Sequence, residues 1–389
     1  MLHPLANATP PAGQATPVIT WIEPSRKPCY DPPVHSILHR RNVTKIIHGP
    51  YLSDLLRQGD VLREVCTALS RTEPLHRLRE QLQNHSYRRI VMTGMGSSFH
   101  AFYPLHLRLT RAGFVSHHVE TAELLLGFEA FKSRDTLLIV TSQSGESAEV
   151  VALLRDSHAF GHVVGITNQP SSTLGRTAQT VLPLHAGEEA TVSCKTYLAT
   201  LAVLHWLGAV LTGGSPEEAV RALTEIEGPM RAYLEHYKSH VEALGGVLTD
   251  IRSVYVVGRG VSLATTGTGG LILKESTRQP AEGMSAAAFR HGVIEMVGPH
   301  ALVFVLEGQP EVADLHRRLA TEITHFGGQV ILIGSDAGIA AAFRIPRVPV
   351  PLLPLVEILP VQMLSLAIAA RDGREAGRFK LASKVTTII

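Results

Sequence analysis

From about Glu80 onward, short apolar runs rich in β-branched residues alternate with stretches of helical character, and this alternation limits the possible folds more than any other feature. Residues 89–93, 114–119, 136–141, 162–167 and 181–184 read as strands. Helices are expected from about residue 99 to 109, from near Glu146, and from about Ser193 through LATLAVLHWLGAVL. Parallel strands need long crossover connections, usually helical, so strand–helix alternation calls for a mostly parallel sheet covered on both faces.

A polar helical stretch, PEEAVRALTEIEGPMRAYLEHYKSHVEALGGVL, then intervenes and reads as a connector. Beyond it the pattern restarts, with strands at 253–257, 301–306 and 329–333 and a helix from about 263 to 275. ILPVQMLSLAIAARDG reads as a helix with Pro360 in its first turn, where a missing N–H costs little. The expected architecture is α/β, with two tandem doubly wound domains, residues 56–212 and 251–389, joined by a helical connector at 213–250. Residues 1–55, rich in Pro, Ala, Thr and Gly, are expected to form a flexible leader.

The length of 389 residues suits two domains of ordinary size. A formal net charge of +2 gives no electrostatic case for a nucleic-acid or membrane-surface partner. No uninterrupted apolar run reaches the roughly 18 residues of a membrane span, and the N-terminus lacks the basic start and apolar core of a secretory signal. Cys29, Cys66 and Cys194 are widely spaced and odd in number, which fits a reducing cytoplasm better than a disulfide framework. The 20 histidines form no HExxH or HxH pattern, and no dinucleotide fingerprint is present, so neither a metal nor another cofactor is expected.

The segment TLLIVTSQSGESAE, residues 136–149, carries the clearest chemistry. An apolar strand runs directly into Ser142, Gln143, Ser144, Gly145 and Ser147, and a helix follows at once. The start of a helix offers free backbone N–H groups and partial positive charge to a phosphate, and hydroxyls add further donors. A helix cap accounts for one serine but not for three beside Gln and Gly. Gly94-Met-Gly-Ser-Ser98 repeats the layout of strand, Gly/Ser turn and helix, and Phe99 stands where GxGxxG would require glycine.

With its preceding strand, SQSGES resembles the phosphate loop of sugar-isomerase (SIS) domains, and Gly96-Ser-Ser98 resembles the Gly-Thr-Ser turn in the isomerase half of the glucosamine-6-phosphate synthase family. Glu188 with Thr191-Val-Ser-Cys-Lys195 resembles that family's Ala-Ser-Thr-Lys segment at the start of a long helix. The resemblance implies that Ser98, Ser142, Gln143, Ser144, Ser147 and Ser193 touch a sugar phosphate, while Cys194, in a position usually held by threonine, receives no reactive role.

Gly258-Arg-Gly260 resembles the turn opening the family's second SIS domain, and LILKESTRQPAEGMSAAAFRHGVIEMV matches its Leu-Lys-Glu…Ala-Glu…His-Gly stretch without a gap. By this resemblance Glu275 moves a proton between C1 and C2. His291 assists ring opening from a neighbouring subunit, which implies a homodimer. Read by themselves, Glu275 is a helix carboxylate beside Lys274 and His291 a surface histidine. Val305-Leu-Glu-Gly308 stands where a second serine loop would lie, so only the first half is expected to hold phosphate. In the tail Phe379-Lys-Leu-Ala-Ser-Lys-Val-Thr386, Ser383 aligns with the synthase's Schiff-base lysine and Lys384 follows it, as in deaminating and deglycating members. Lys384 is thus a candidate site residue.

The resemblance covers about residues 60–389 and includes no glutaminase domain. It implies an isomerase acting on amino-sugar phosphates, of the glucosamine-6-phosphate deaminase kind. The alternatives are a deglycase of phosphorylated Amadori products and a non-catalytic sugar-phosphate-binding regulator.

Overall fold

The computed structural model describes residues 45–386 except 74, 337 and 382, so the leader as far as residue 44, with Cys29, lies outside the described residues. Strands β1 (Arg89–Gly94), β2 (Ser116–Glu120), β3 (Thr136–Thr141), β4 (His162–Thr167) and β5 (Thr180–Pro183) form one sheet in the order β2-β1-β3-β4-β5. Every pairing in it is parallel. Strands β6 (Ser253–Gly258), β7 (Ala281–Ser285), β8 (Ala301–Leu306) and β9 (Gln329–Ile333) form a second parallel sheet in the order β7-β6-β8-β9. Both are doubly wound, as the alternation of elements requires.

Successive strand residues point to opposite faces, and here the two faces belong to different cores. Ile90, Met92, Leu137, Ile139, Val254, Val256, Leu302 and Phe304 all enter one large core shared by both sheets. Their neighbours Val91, Leu138 and Val140 pack into a core on the far side of the first sheet, and Tyr255, Val257, Val303 and Val305 into one on the far side of the second. With apolar neighbours on both faces, β3 is buried at every position, which explains its unbroken apolar sequence.

Four expectations need correction. The polar stretch after the first sheet is more than a connector: its helices Pro216–Glu235 and Tyr237–Gly245 are amphipathic, and Leu223, Ile226, Met230, Tyr233 and Leu234 lie in the shared core. Pro360 is inside a helix rather than in its first turn, because that helix starts at Leu353 and Pro354 takes the N-terminal place. The helix expected over 99–109 is two helices, Ser97–His100 and Tyr103–Arg111, the second starting with Pro104 at its N-terminal end. Finally, the helix Pro50–Leu56 falls in the stretch expected to be leader, yet it buries Tyr51, Leu52, Asp54 and Leu55. The helix Leu353–Arg371 is apolar and long enough to cross a membrane by composition, but it is enclosed by the protein along its length, as a central core helix is.

Candidate active site

In the strand order of the first sheet the topological switch point falls between β1 and β3, where the crevice beyond the carboxyl ends of the strands receives ligands. The turns leaving these strands line a cavity of about 370 Å³. They lie close together, since a Cβ on Gly94 would come within 2.9 Å of the Thr141 carbonyl oxygen. Ser98, Ser142, Gln143, Ser144, Ser147, Ser193, Glu275 and Lys384 all line this one cavity. The residues come from both turns, from the start of the helix Lys195–Leu211, from the second half's helix Leu263–Thr277, and from the C-terminal tail.

The serine turn is held open by its own side chains. Gly145 adopts φ +64°, and a Cβ there would lie 2.0 Å from Ser172 Oγ, so only glycine fits. Ser142 Oγ accepts from the Gly145 N–H at 3.1 Å and Ser144 Oγ from the Glu146 N–H at 3.2 Å. Both hydroxyl protons therefore remain available to a ligand. Glu146 turns its carboxylate to Thr173, accepting from the backbone N–H at 2.6 Å and from Oγ1 at 2.9 Å.

Ser147 precedes the helix Ala148–Leu154 but makes no capping bond; its hydroxyl is buried without a hydrogen-bond partner among the described residues. The hydroxyls of Thr141 and Thr191, which line the same cavity, are also buried and unpartnered. Burying a hydroxyl without a partner costs free energy. Three of them around one cavity mark a place prepared for a polar ligand.

Glu275 faces this cavity from the other half of the molecule. Burial raises its carboxyl above the ordinary value; the Lys384 ammonium opposes this and the Glu189 carboxylate reinforces it. Lys274, the neighbour in sequence, reaches instead to Glu282 at 3.5 Å. Lys384 donates to Glu189 Oε2 at 2.8 Å and to the Thr191 carbonyl oxygen. Ser383 also lines the cavity, with its hydroxyl donating within the tail to the Val385 carbonyl at 2.7 Å. The tail is stitched down where the Ala148 N–H donates to the Thr386 carbonyl at 3.1 Å.

His291 and Glu188 lie outside this cavity. His291 is exposed, just after the helix Ala286–Arg290, and does not line the cavity. Glu188 lines a separate groove, while its neighbour Glu189 is 4% exposed and belongs to the site. Nothing local in the sequence distinguishes these two adjacent glutamates. Cys194 is fully buried and burial pushes its thiol well up, in keeping with no reactive role. In the second sheet Glu307, buried and paired with Arg317, follows β8 where the first sheet has its serine turn. A buried carboxylate at that point opposes an anionic ligand.

The SIS domain pattern matches residues 85–209 and 247–370, more than half of the chain. A glutamine–fructose-6-phosphate aminotransferase [isomerizing] from Pyrococcus horikoshii is 31% identical over 315 residues, covering 78% of this chain and 52% of that protein. The chain thus spans about half the length of the curated relatives it matches. Among solved structures, the C-terminal domain of glucosamine-fructose-6-phosphate aminotransferase from Francisella tularensis has a TM-score of 0.74 at 21% identity, covering 85% of this chain and 98% of that one. Glucosamine-6-phosphate deaminase from Thermotoga maritima has a TM-score of 0.66 at 16% identity, covering 87% and 99%. At such identities the likeness is one of fold. Since each parallel sheet falls within one of the two matched stretches, the chain belongs to the SIS domain family.

Proposed function

We propose that this protein is a sugar-phosphate aldose–ketose isomerase acting on amino-sugar phosphates, of the glucosamine-6-phosphate deaminase type. The observation that carries this reading is the pairing, in one cavity, of donor-rich turns bearing unpartnered hydroxyls with a carboxylate whose proton affinity burial has raised. The first suits a phosphate monoester. The second suits a group that must both take and return a proton near neutral pH.

In this reading the phosphate rests on the hydroxyls of Ser98, Ser142, Ser144 and Ser147, with Gln143 beside it. Once the sugar ring is open, Glu275 removes the proton from C2, and the electron pair forms a C1–C2 double bond as the C1 carbonyl oxygen gains a proton. Glu275 then returns its proton to C1, which leaves a protonated imine at C2. Water adds to that imine, and loss of ammonia gives the ketose phosphate. The Lys384 ammonium, held at the cavity wall, stabilises negative charge building on O1.

Ring opening falls to His291 of a second copy of the chain, and a homodimer is part of the proposal. The exposure of His291, which does not line the cavity of its own chain, is consistent with that role. The alternative, a deglycase, would use the same proton transfer with a bulkier amine on the sugar.

Proton NMR of glucosamine 6-phosphate with the protein in D₂O tests the proposal. Deuterium at C1 of the product with release of ammonia is expected, and Glu275→Gln should reduce both by at least about 10²-fold, the lower range for a positioned general base. Turnover of phosphorylated Amadori compounds alone would move the assignment to the deglycase. Binding without turnover of either substrate would leave a sugar-phosphate-binding regulator.

A further inference from the structure

We propose that Glu189 is the positioning residue of this site: its buried carboxylate anchors the Lys384 ammonium at the cavity wall and, through Thr196, turns Ser193 into a hydrogen-bond acceptor for a hydroxyl or amino group of the ligand. The inference rests on the reading of the cavity as the active site.

Four donors converge on this carboxylate. Oε1 accepts from the backbone N–H groups of Cys194 at 2.9 Å and Thr196 at 3.0 Å. Oε2 accepts from Thr196 Oγ1 at 2.6 Å and from Lys384 Nζ at 2.8 Å. Three of the four belong to one buried turn at the start of the helix Lys195–Leu211. Glu189 is therefore fixed, and the lysine, 24% exposed on the tail, comes to it. An ammonium has three protons. With Glu189 and the Thr191 carbonyl taking two, one is left for the cavity.

The same carboxylate sets the polarity of Ser193. Thr196 has one hydroxyl proton and gives it to Glu189. In its 2.9 Å contact with Ser193, Thr196 must then accept and Ser193 must donate. Ser193 offers the cavity only lone pairs, which face a phosphate oxygen unfavourably but pair with a hydroxyl or protonated amine. Ser193 would then meet the sugar rather than its phosphate group. Ser142 and Ser144, whose oxygens accept from the backbone, keep their protons for the ligand. The serine turn thus presents donors suited to phosphate, while Ser193 presents an acceptor suited to a hydroxyl or amine. Glu189 also pushes the Glu275 carboxyl upward, against the pull of Lys384.

The test measures acylation of individual lysines by trace reagent at one fixed pH, read by peptide mass spectrometry, in wild type, Glu189→Gln and Glu189→Asp. Loss of the charge-assisted hydrogen bond that holds the Lys384 ammonium should leave the side chain freer to react, with labelling about tenfold faster. Lys274 and Lys380 should stay unchanged, and the Asp variant should restore part of the difference. Equal Lys384 labelling in wild type and Glu189→Gln would overturn the proposal. This readout needs no turnover, so a failure of the isomerase reading shows separately as a wild-type protein silent toward sugar phosphates.

In active protein, Glu189→Gln should also move the acid limb of the pH–rate curve to lower pH with inorganic phosphate affinity unchanged. A parallel loss of phosphate affinity would mean general damage and count against the idea. Should Glu189→Gln fail to fold, Thr196→Val keeps the anchor for Lys384 but frees the Ser193 proton. It should leave Lys384 labelling unchanged and weaken binding of the sugar but not of inorganic phosphate; equal affinity for the sugar would refute the relay.

Discussion

The ammonium of Lys195 lies 2.6 Å from Asp54 Oδ1, with 1% and 12% of the two side chains exposed. Asp54 Oδ2 also accepts from the Ala190 N–H at 3.1 Å. A carboxylate from the helix Pro50–Leu56 thereby neutralises a lysine at the positive end of the helix Lys195–Leu211, where a buried cation is otherwise unfavourable. Asp54→Ala would leave that cation buried and unpaired, and urea unfolding should register a loss of about 3–5 kcal/mol. A loss indistinguishable from zero would show that Lys195 is stabilised by its surroundings without the pair.

Gly145→Ala tests the serine turn. The positive φ and the 2.0 Å approach to Ser172 Oγ leave no room for a methyl group, so the turn must shift. Titration calorimetry with a sugar phosphate should show affinity at least about tenfold weaker, roughly 1.4 kcal/mol. Unchanged affinity would place the phosphate elsewhere.

Glu357 is fully buried, accepting from Ser262 Oγ at 2.8 Å and from Thr265 Oγ1 at 3.1 Å. Burial raises its carboxyl from 4.5 to about 7, against the pull of the two hydroxyls. Because the folded form holds the proton more tightly than the unfolded form, the contribution is complete below pH 4.5 and is lost as pH rises through about 7. Glu357→Gln removes the titration, so its denaturation midpoint relative to wild type should improve between pH 5 and pH 8. The same difference at both pH values would contradict the raised value.

If His291 serves the cavity of a second copy, Glu275→Gln and His291→Ala should each be inactive alone yet complement on mixing. In an isologous dimer each mixed pair carries one intact site, so random exchange should recover about one quarter of wild-type activity. No recovery, with exchange confirmed by native mass spectrometry, would confine the chemistry to a single chain.

Strands β3, β4, β8 and β9 have the bounds expected from sequence; β3 and β8 are buried at every position, and all four carry runs of adjacent apolar residues facing cores on both sides of their sheets. Strand β7, Ala281–Ser285, carries no such signal: it lies at the edge of its sheet with mostly half-exposed residues. The helix Pro216–Glu235 looked like a connector because its polar face dominates the composition, while its apolar stripe becomes meaningful only against a core. In the site, the serine turn was legible because a strand, a glycine and a helix start lie within ten residues.

By itself, then, the sequence determined the α/β alternation and the phosphate-suited turn, since each depends on periodicity or on neighbours a few residues apart, while Glu275 was singled out only by resemblance to the family's Leu-Lys-Glu stretch. Tertiary structure alone decided that Glu189 and not Glu188 turns inward, that Lys384 meets it from the far end of the chain, that Asp54 neutralises Lys195, and that His291 stays outside the cavity of its own chain. Hydrogen bonds and charges act over a few ångströms of space, and only packing the two sheets around one core brings together residues so distant along the chain.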